Sequence, residues 1–328
     1  MFSSITDVAG IEVGHYTNQS AATGCTVLLA PNGAVAGVDV RGSAPGTRET
    51  DLLRTGNLVE KIHAIGLSGG SAFGLDTASG IVRYLEEKGI GFPIGSGVVP
   101  IVPAAIIFDL GLGGGSFRPG AEEGYQACLN ASDSMVEQGS VGAGTGATVG
   151  KILGREQSTK GGLGSYSLKV GSVTIGALAV VNAFGDVIDP KDGKTIAGPR
   201  KKPAPPLFEN TVDLLINPDN TSQVPELSPT NTTLAVVACD ATLTKEQANK
   251  LAQVGQDGLA LAVRPSHTMV DGDIVFALAT GNNQEPPNMR SLCAAASVVV
   301  SKAIINGVLA ATAINGIPSV KDLGILQS

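Results

Sequence analysis

Residues 166–181 read Tyr-Ser-Leu-Lys-Val-Gly-Ser-Val-Thr-Ile-Gly-Ala-Leu-Ala-Val-Val. Apolar side chains fall at every second position through Leu168 and Val170, and again through Val173, Ile175, Ala177, Ala179 and Val181. A period of two places them on one face of extended chain, and Gly171 between the runs supplies a turn. The stretch predicts a pair of half-buried antiparallel strands.

Downstream, Phe184 to Thr230 holds eight of the chain's 18 prolines and little periodicity, which predicts a long irregular connection. Thr233 to Val237 then reads as a buried strand. Thr244-Lys245-Glu246-Gln247 is a capping box, and Leu251, Ala252, Val254, Leu259 and Ala262 follow as a helix face. A strand at Ile274 to Ala279 and a long helix at about Ser291 to Ala311 complete this half.

Upstream, Thr26 to Ala30 and Val35 to Val40 flank the turn-forming Pro31-Asn32-Gly33, which predicts a hairpin. Leu52, Leu53, Leu58, Ile62 and Ile65 have mixed helical spacing, as do Ile81, Tyr84 and Leu85 beyond the glycine-rich Gly69 to Gly74, so two helices are expected there. Pro100 and Pro103 prevent Val98 to Leu110 from being one regular central strand, Gly111 to Ser116 reads as a turn, and a helix is expected from about Ala121 to Gln138. Antiparallel strands with packed helices and no internal repeat point to a layered α+β architecture.

Composition narrows the function classes. With 43% hydrophobic and 16% charged residues, the 328-residue chain can bury a large core without disulfides. Its four cysteines, Cys25, Cys128, Cys239 and Cys293, are far apart and form neither a zinc pattern nor a secreted framework. Residues 1–14 lack the pattern of a leader, and no stretch reaches about 18 uninterrupted apolar residues, so no membrane partner and a cytoplasmic location are expected. A net charge of -7, with both signs scattered, argues against a nucleic-acid partner. The 44 glycines follow no strict period and are expected to serve turns and close packing.

Two motifs invite chemistry that their details refuse. Gly142 to Ile152 superficially looks like a phosphate loop, but the leading glycine is replaced by Thr145 and the magnesium-binding hydroxyl by Ile152. His267, near Asp271 and Asp273, is one histidine beside a polar Asp-Gly-Asp turn, which is thin support for a metal site. Neither a cofactor nor a metal is expected. No Gly-x-Ser-x-Gly elbow accompanies any of the three histidines, so a conventional serine triad is not expected either.

Three long stretches carry a more specific signal: Arg41-Gly42-Ser43-Ala44-Pro45-Gly46-Thr47-Arg48-Glu49-Thr50-Asp51, Leu67-Ser68-Gly69-Gly70-Ser71-Ala72-Phe73-Gly74-Leu75-Asp76, and Val102-Pro103-Ala104-Ala105-Ile106-Ile107-Phe108-Asp109. With the junction Asn231-Thr232-Thr233, they resemble the L-aminopeptidase/D-esterase (DmpA-like) family of self-processing N-terminal nucleophile hydrolases. That family includes β-peptidyl aminopeptidases and nylon-oligomer hydrolases, and the likeness runs over nearly the whole chain. It implies a four-layer α/β/β/α sandwich of the type shared with ornithine acetyltransferase, with antiparallel sheets between helix layers. It also implies one catalytic domain over 1–328, cut between Asn231 and Thr232 into 1–231 and 232–328.

The site residues below are implied by the same resemblance. Thr232 would be the nucleophile, Asn182 the oxyanion-hole donor together with a backbone amide, and Lys151 a neighbour of the nucleophile. Asp271 and Asp273 match the acidic pair of nylon-type members, whereas β-peptidyl aminopeptidases carry a serine and a glutamate there; Asp273 is expected to make the direct contact. Phe73, a substrate-pocket candidate, stands where some members have a tyrosine and offers no hydroxyl. A small peptide or amide is the expected substrate, and a homo-oligomer, a tetramer of cleaved heterodimers, the expected assembly. An acetyl-transferring relative of the ornithine acetyltransferase type and a non-catalytic binding protein are the alternatives.

Overall fold

The computed structural model describes residues 3–201, 208–217 and 230–324. Nine strands form the main sheet: β1 (Glu12–Asn18), β2 (Thr23–Val40), β3 (Thr47–Arg48), β4 (Lys61–Ser68), β5 (Ala104–Ile106), β6 (Gly162–Val170), β7 (Val173–Asn182), β8 (Thr232–Ala241) and β9 (Ile274–Asn283). Their order is β6-β7-β8-β9-β2-β4-β5-β3, with β1 paired to β2 as well. The helices are α1 (Thr77–Glu87), α2 (Ala121–Leu129), α3 (Thr211–Ile216), α4 (Lys245–Ala262) and α5 (Met289–Ala310).

Strand β2 explains how one sheet makes two layers. Its first half pairs Cys25–Leu29 with β4, and its second half pairs Val35–Val40 with β9. Between them the register jumps: Leu29 faces Ala64 but Ala34 faces Ile62, so extra residues around Pro31-Asn32-Gly33 bulge out of the ladder. Gly33 there has φ +74°, a conformation that a side chain disfavours. The expected hairpin is therefore replaced by a single bent strand.

The folded sheet buries a core between its halves, where Leu28, Ile62, Ile65 and Leu67 meet Leu178, Val180, Leu234, Val236 and Phe276. On one outer face α4 and α5 cover Ile175, Ala177, Val237 and Val275. On the other, α1 and α2 cover Cys25, Val27, Leu29 and Ala64. Alternate residues of β7 and β8 go to the two cores, as the period-two pattern requires. This is the α/β/β/α sandwich. The sheet is mixed rather than antiparallel throughout, because β8 with β9 and β4 with β5 run parallel.

Other expectations shift locally. Lys61–Ser68 is a strand and not part of the expected helix, and only Asp51–Leu53 coils briefly before it. Helix α2 stops at Leu129 rather than near Gln138, because the chain turns to pair Ser132 with Val13. In the proline-rich connection, Asp186–Ile188, Thr195–Ala197 and α3 are ordered elements. Prolines 203, 205, 206, 218, 225 and 229 of that connection lie outside the described residues.

Helix α5 has 22 residues and a mean hydropathy of 1.9 over its most apolar window, enough by length and composition to cross a membrane. Here its Leu292, Val299 and Ile304 are core residues. It lies so close on β6 that a Cβ at Gly164 would sit 2.1 Å from the Ala303 carbonyl oxygen. Close packing of this kind is one use of the abundant glycine.

Candidate active site

Strand directions bring the site together. The parallel pairing of β8 and β9 puts their N-terminal ends side by side, so the Asp271-Gly272-Asp273 turn before β9 meets Thr232 at the start of β8. The antiparallel pairing of β7 and β8 places Asn182, the last residue of β7, directly opposite Thr232. Lys151 joins them because its backbone N–H donates to the Phe184 carbonyl just beyond β7, at 3.1 Å.

Thr232 is buried, and its Oγ1 lies 2.5 Å from the Asn231 carbonyl oxygen. That oxygen also accepts the Gly272 N–H at 2.9 Å. The hydroxyl thus stands beside the carbonyl group of its own preceding peptide bond, and a backbone donor is already aimed at the oxygen on which charge would develop. Asn231 itself is held by a bond from its Nδ2 to the Val270 carbonyl, at 3.2 Å.

Asn182 is fully buried and uses both ends of its amide. Its Oδ1 accepts the Thr148 N–H and the Lys151 Nζ, at 3.1 and 2.8 Å, while its Nδ2 donates to the carbonyls of Phe108 and Thr230, at 3.2 and 3.3 Å. Lys151 Nζ donates in addition to the carbonyls of Asn182 and Thr230, at 3.0 and 3.3 Å. Burial first, and then the Arg155 charge, drive the Lys151 amine well below the usual lysine range.

The two aspartates hold backbone. Asp273 Oδ1 accepts the Thr233 N–H at 2.7 Å, and its Oδ2 accepts the His267 N–H at 2.8 Å and faces His267 Nδ1 at 3.1 Å. Asp271 Oδ1 accepts the Phe184 N–H at 3.2 Å, and its Oδ2 accepts the Thr268 N–H and hydroxyl, at 3.2 and 2.5 Å. The expected direct contact from Asp273 therefore reaches the residue after Thr232. Burial, reinforced by the Asp273 charge, pushes the Asp271 carboxyl up to about 6.

Phe73 stands apart from this cluster. It is 59% exposed, with the Arg118 guanidinium 4.1 Å above its ring.

A family model described as peptidase family S58 matches residues 3–321. The chain belongs to peptidase family S58. It is 43% identical to an uncharacterized aminopeptidase of Mycobacterium tuberculosis over 98% of each chain. It is 28% identical to a 6-aminohexanoate-oligomer endohydrolase of a Kocuria species, over 84% of this chain and 74% of that one. Its fold matches the L-aminopeptidase D-Ala-esterase/amidase of Ochrobactrum anthropi, a variant of the Ntn-hydrolase fold, with a TM-score of 0.71 at 18% identity, covering 100% of this chain and 94% of the other. As an S58 peptidase the chain is a hydrolase of amide bonds, which sets aside the acetyl-transferring and non-catalytic alternatives.

Around the site the S58 chain also places groups to which the sequence analysis gave no role. Gly272 contributes its backbone N–H, a group no side-chain pattern reveals. Arg41, Gly42 and Ala44 pack their backbone on the Asp-Gly-Asp turn, donating to the carbonyls of Asp273, Asp273 and Asp271 at 3.1, 3.2 and 2.9 Å. Gly42 is obligatory there, since a Cβ would lie 2.2 Å from the Asp273 nitrogen. Asp109, buried, accepts the Thr23 hydroxyl and the Gly70 N–H, both at 2.7 Å, and so ties the second and third motifs together behind Phe108.

Proposed function

We propose that this chain is a self-processing threonine amidohydrolase, cut between Asn231 and Thr232 into 1–231 and 232–328. The observation that carries the reading is the Thr232 hydroxyl beside the Asn231 carbonyl, with the Gly272 N–H already on its oxygen. Thr232 Oγ1 attacks the Asn231 carbonyl carbon while its proton passes to the departing nitrogen. The C–N bond breaks, an ester remains, and water cleaves it to an Asn231 carboxylate and the free hydroxyl.

The same cut creates the base for turnover. A free α-amino group has a reference pKa of about 7.7–8.0, so at neutral pH it can take the proton of the neighbouring hydroxyl, directly or through water. Asn182 sits across the ladder from Thr232, and its Nδ2 is available to a substrate oxyanion once the Thr230 carbonyl has moved away. Lys151 loses one of its three acceptors in the same departure. Asp273 holds the Thr233 N–H, and Asp271 holds the Phe184 N–H two residues beyond Asn182, which together fix the frame around the Thr232 amine and hydroxyl.

The substrate is a short peptide or small amide. Both the aminopeptidase and the oligomer-endohydrolase relatives support that class. The cleaved heterodimers assemble into a homo-oligomer, a reading favoured by Leu261 and Val298, each 44% exposed on the outer helical layer. Three buried free thiols and one partly exposed fit a reducing compartment, the cytoplasm.

Intact mass and N-terminal sequencing test the central claim. Two pieces beginning at Met1 and Thr232 are expected from the wild type, one uncut chain from T232A, and cut chain again from T232S. An uncut wild-type chain after long incubation would sink the mechanism.

A further inference from the structure

The turn that follows Lys151 carries a second cation toward the site. Gly154 N–H donates to the Lys151 carbonyl at 2.9 Å, and the Ser158 N–H and hydroxyl both close on the Arg155 carbonyl, at 3.0 and 2.6 Å, so the Arg155 backbone is fixed. Its guanidinium lies on the backbone of Gly111, where a Cβ would fall 1.4 Å from Nη1. Gly111 follows Phe108 and Asp109, and the Phe108 carbonyl is bonded to Asn182. Arg155 therefore spans two segments that each touch Asn182, and its charge acts on the Lys151 amine that holds the Thr230 carbonyl.

This guanidinium is partly buried yet makes no hydrogen bond or ion pair with any described residue. The other two lysines of the neighbourhood are fully engaged: Lys160 Nζ donates to the carbonyls of Gly144, Ala147 and Gly161, and Lys151 Nζ has its three acceptors. Asp109, whose charge acts on Arg155, already accepts from Thr23 and Gly70. An arginine fork matches a carboxylate with two parallel bonds, and a half-buried one with idle donors is a ready partner for it.

We propose that Arg155 is the carboxylate-recognition residue of the substrate site. The assignment rests on the reading of Thr232 as the reacting residue. It narrows the substrate class to amides that carry a carboxylate, either the terminal one on the leaving side or an acidic side chain on the acyl side. Gly111 serves as the seat that lets the fork lie flat.

The test compares self-processed wild type, R155Q and R155K on two substrate pairs. The 6-aminohexanoate dimer against its C-terminal carboxamide probes the leaving side, and glutamyl against glutaminyl p-nitroanilide probes the acyl side. The wild type is expected to favour one acid over its neutral partner by roughly tenfold to a hundredfold in kcat/KM, the range for a charge-assisted bond. R155Q brings that ratio to about one and R155K keeps part of it; the pair that responds identifies the source of the carboxylate.

Because R155Q could fold poorly, a second measurement uses the wild type alone. Modification of Arg155 by phenylglyoxal, followed by peptide mass mapping with exposed Arg54 as internal standard, is expected to slow with the acid of the responding pair and not with its neutral partner. Unchanged ratios in R155Q together with no protection would overturn the assignment. Protection without hydrolysis of any of the four compounds would leave the carboxylate site standing and defeat the hydrolytic reading of Thr232.

Discussion

Replacing Gly272 by alanine isolates the backbone donor on the Asn231 carbonyl. The added Cβ would lie 2.8 Å from Thr232 Oγ1 and 2.6 Å from the Ala44 carbonyl oxygen. Ordinary van der Waals contact begins near 3.4 Å, so the hydroxyl and the turn must separate by about 0.6 Å. Spent on the 2.9 Å bond from Gly272 to Asn231, that displacement reaches the outer limit of a hydrogen bond. Loss of one oxyanion donor costs about 2.7–4 kcal/mol, so processing of G272A should slow by roughly a hundredfold to a thousandfold. Conversion of precursor followed by intact mass gives the rate directly. G97A is the control, because a Cβ there meets nothing within 4 Å. Wild-type processing kinetics in a folded G272A chain would refute the assignment of Gly272 as the oxyanion donor.

The remaining expectations follow from the same geometry. N182A should lower turnover of any small amide by roughly a hundredfold to a thousandfold, with less effect on the thermal midpoint; a steady-state assay beside a melting curve separates the two. The raised Asp271 carboxyl loses its charge as pH falls through about 6, weakening its grip on Phe184 and Thr268, so the processing rate should drop on the acidic side of that value. For stability the sign is opposite: the folded state binds this proton more tightly than the unfolded chain, so the group's contribution is present below about pH 4 and is lost as pH rises through 6. D273N removes the like charge and should move the acidic limb of the processing profile to lower pH. G37A should lower the thermal midpoint by several degrees, about 1–3 kcal/mol of overpacking, because its Cβ would lie 2.4 Å from the Asn249 nitrogen in α4.

The sequence was legible where one rule governed a segment. The period-two runs of β6 and β7 pair around Gly171 as the sequence predicts, with Val170 opposite Val173, but β7 is buried at every position instead of half-buried, because cores lie on both its faces. The capping box gives α4 its start, with the Thr244 side chain accepting the Gln247 N–H. Reading failed where tertiary context set the answer. Strand β4 is covered on both faces, Ile62, Ile65 and Leu67 toward the inner core and Ala64 toward α1 and α2, so its apolar residues do not alternate with polar ones and mimic helical spacing. Pro31-Asn32-Gly33 has the chemistry of a chain reversal, but only the partners on either side, β4 and β9, determine that the strand bends and continues. The candidate site was proposed from resemblance alone. No spacing rule links Lys151, Asn182, Thr232 and Asp271, which meet because of strand order, and the Gly272 amide has no signature at all.

The position of β8 in that order has a consequence for the life history of the molecule. A break before Thr232 leaves β8 hydrogen-bonded to β7 on one side and, through β9, to β2 on the other, so the daughter chain is dovetailed between two strands of its parent. The Asp271-Gly272-Asp273 turn that grips the bond lies downstream of it, and α5, which seals the outer core, further still. On the proposed mechanism, scission would have to wait until nearly the whole polypeptide has left the ribosome and folded. The proposed cut would then work as a certificate of completed synthesis, and two halves made separately would have no simple route back to the interleaved form.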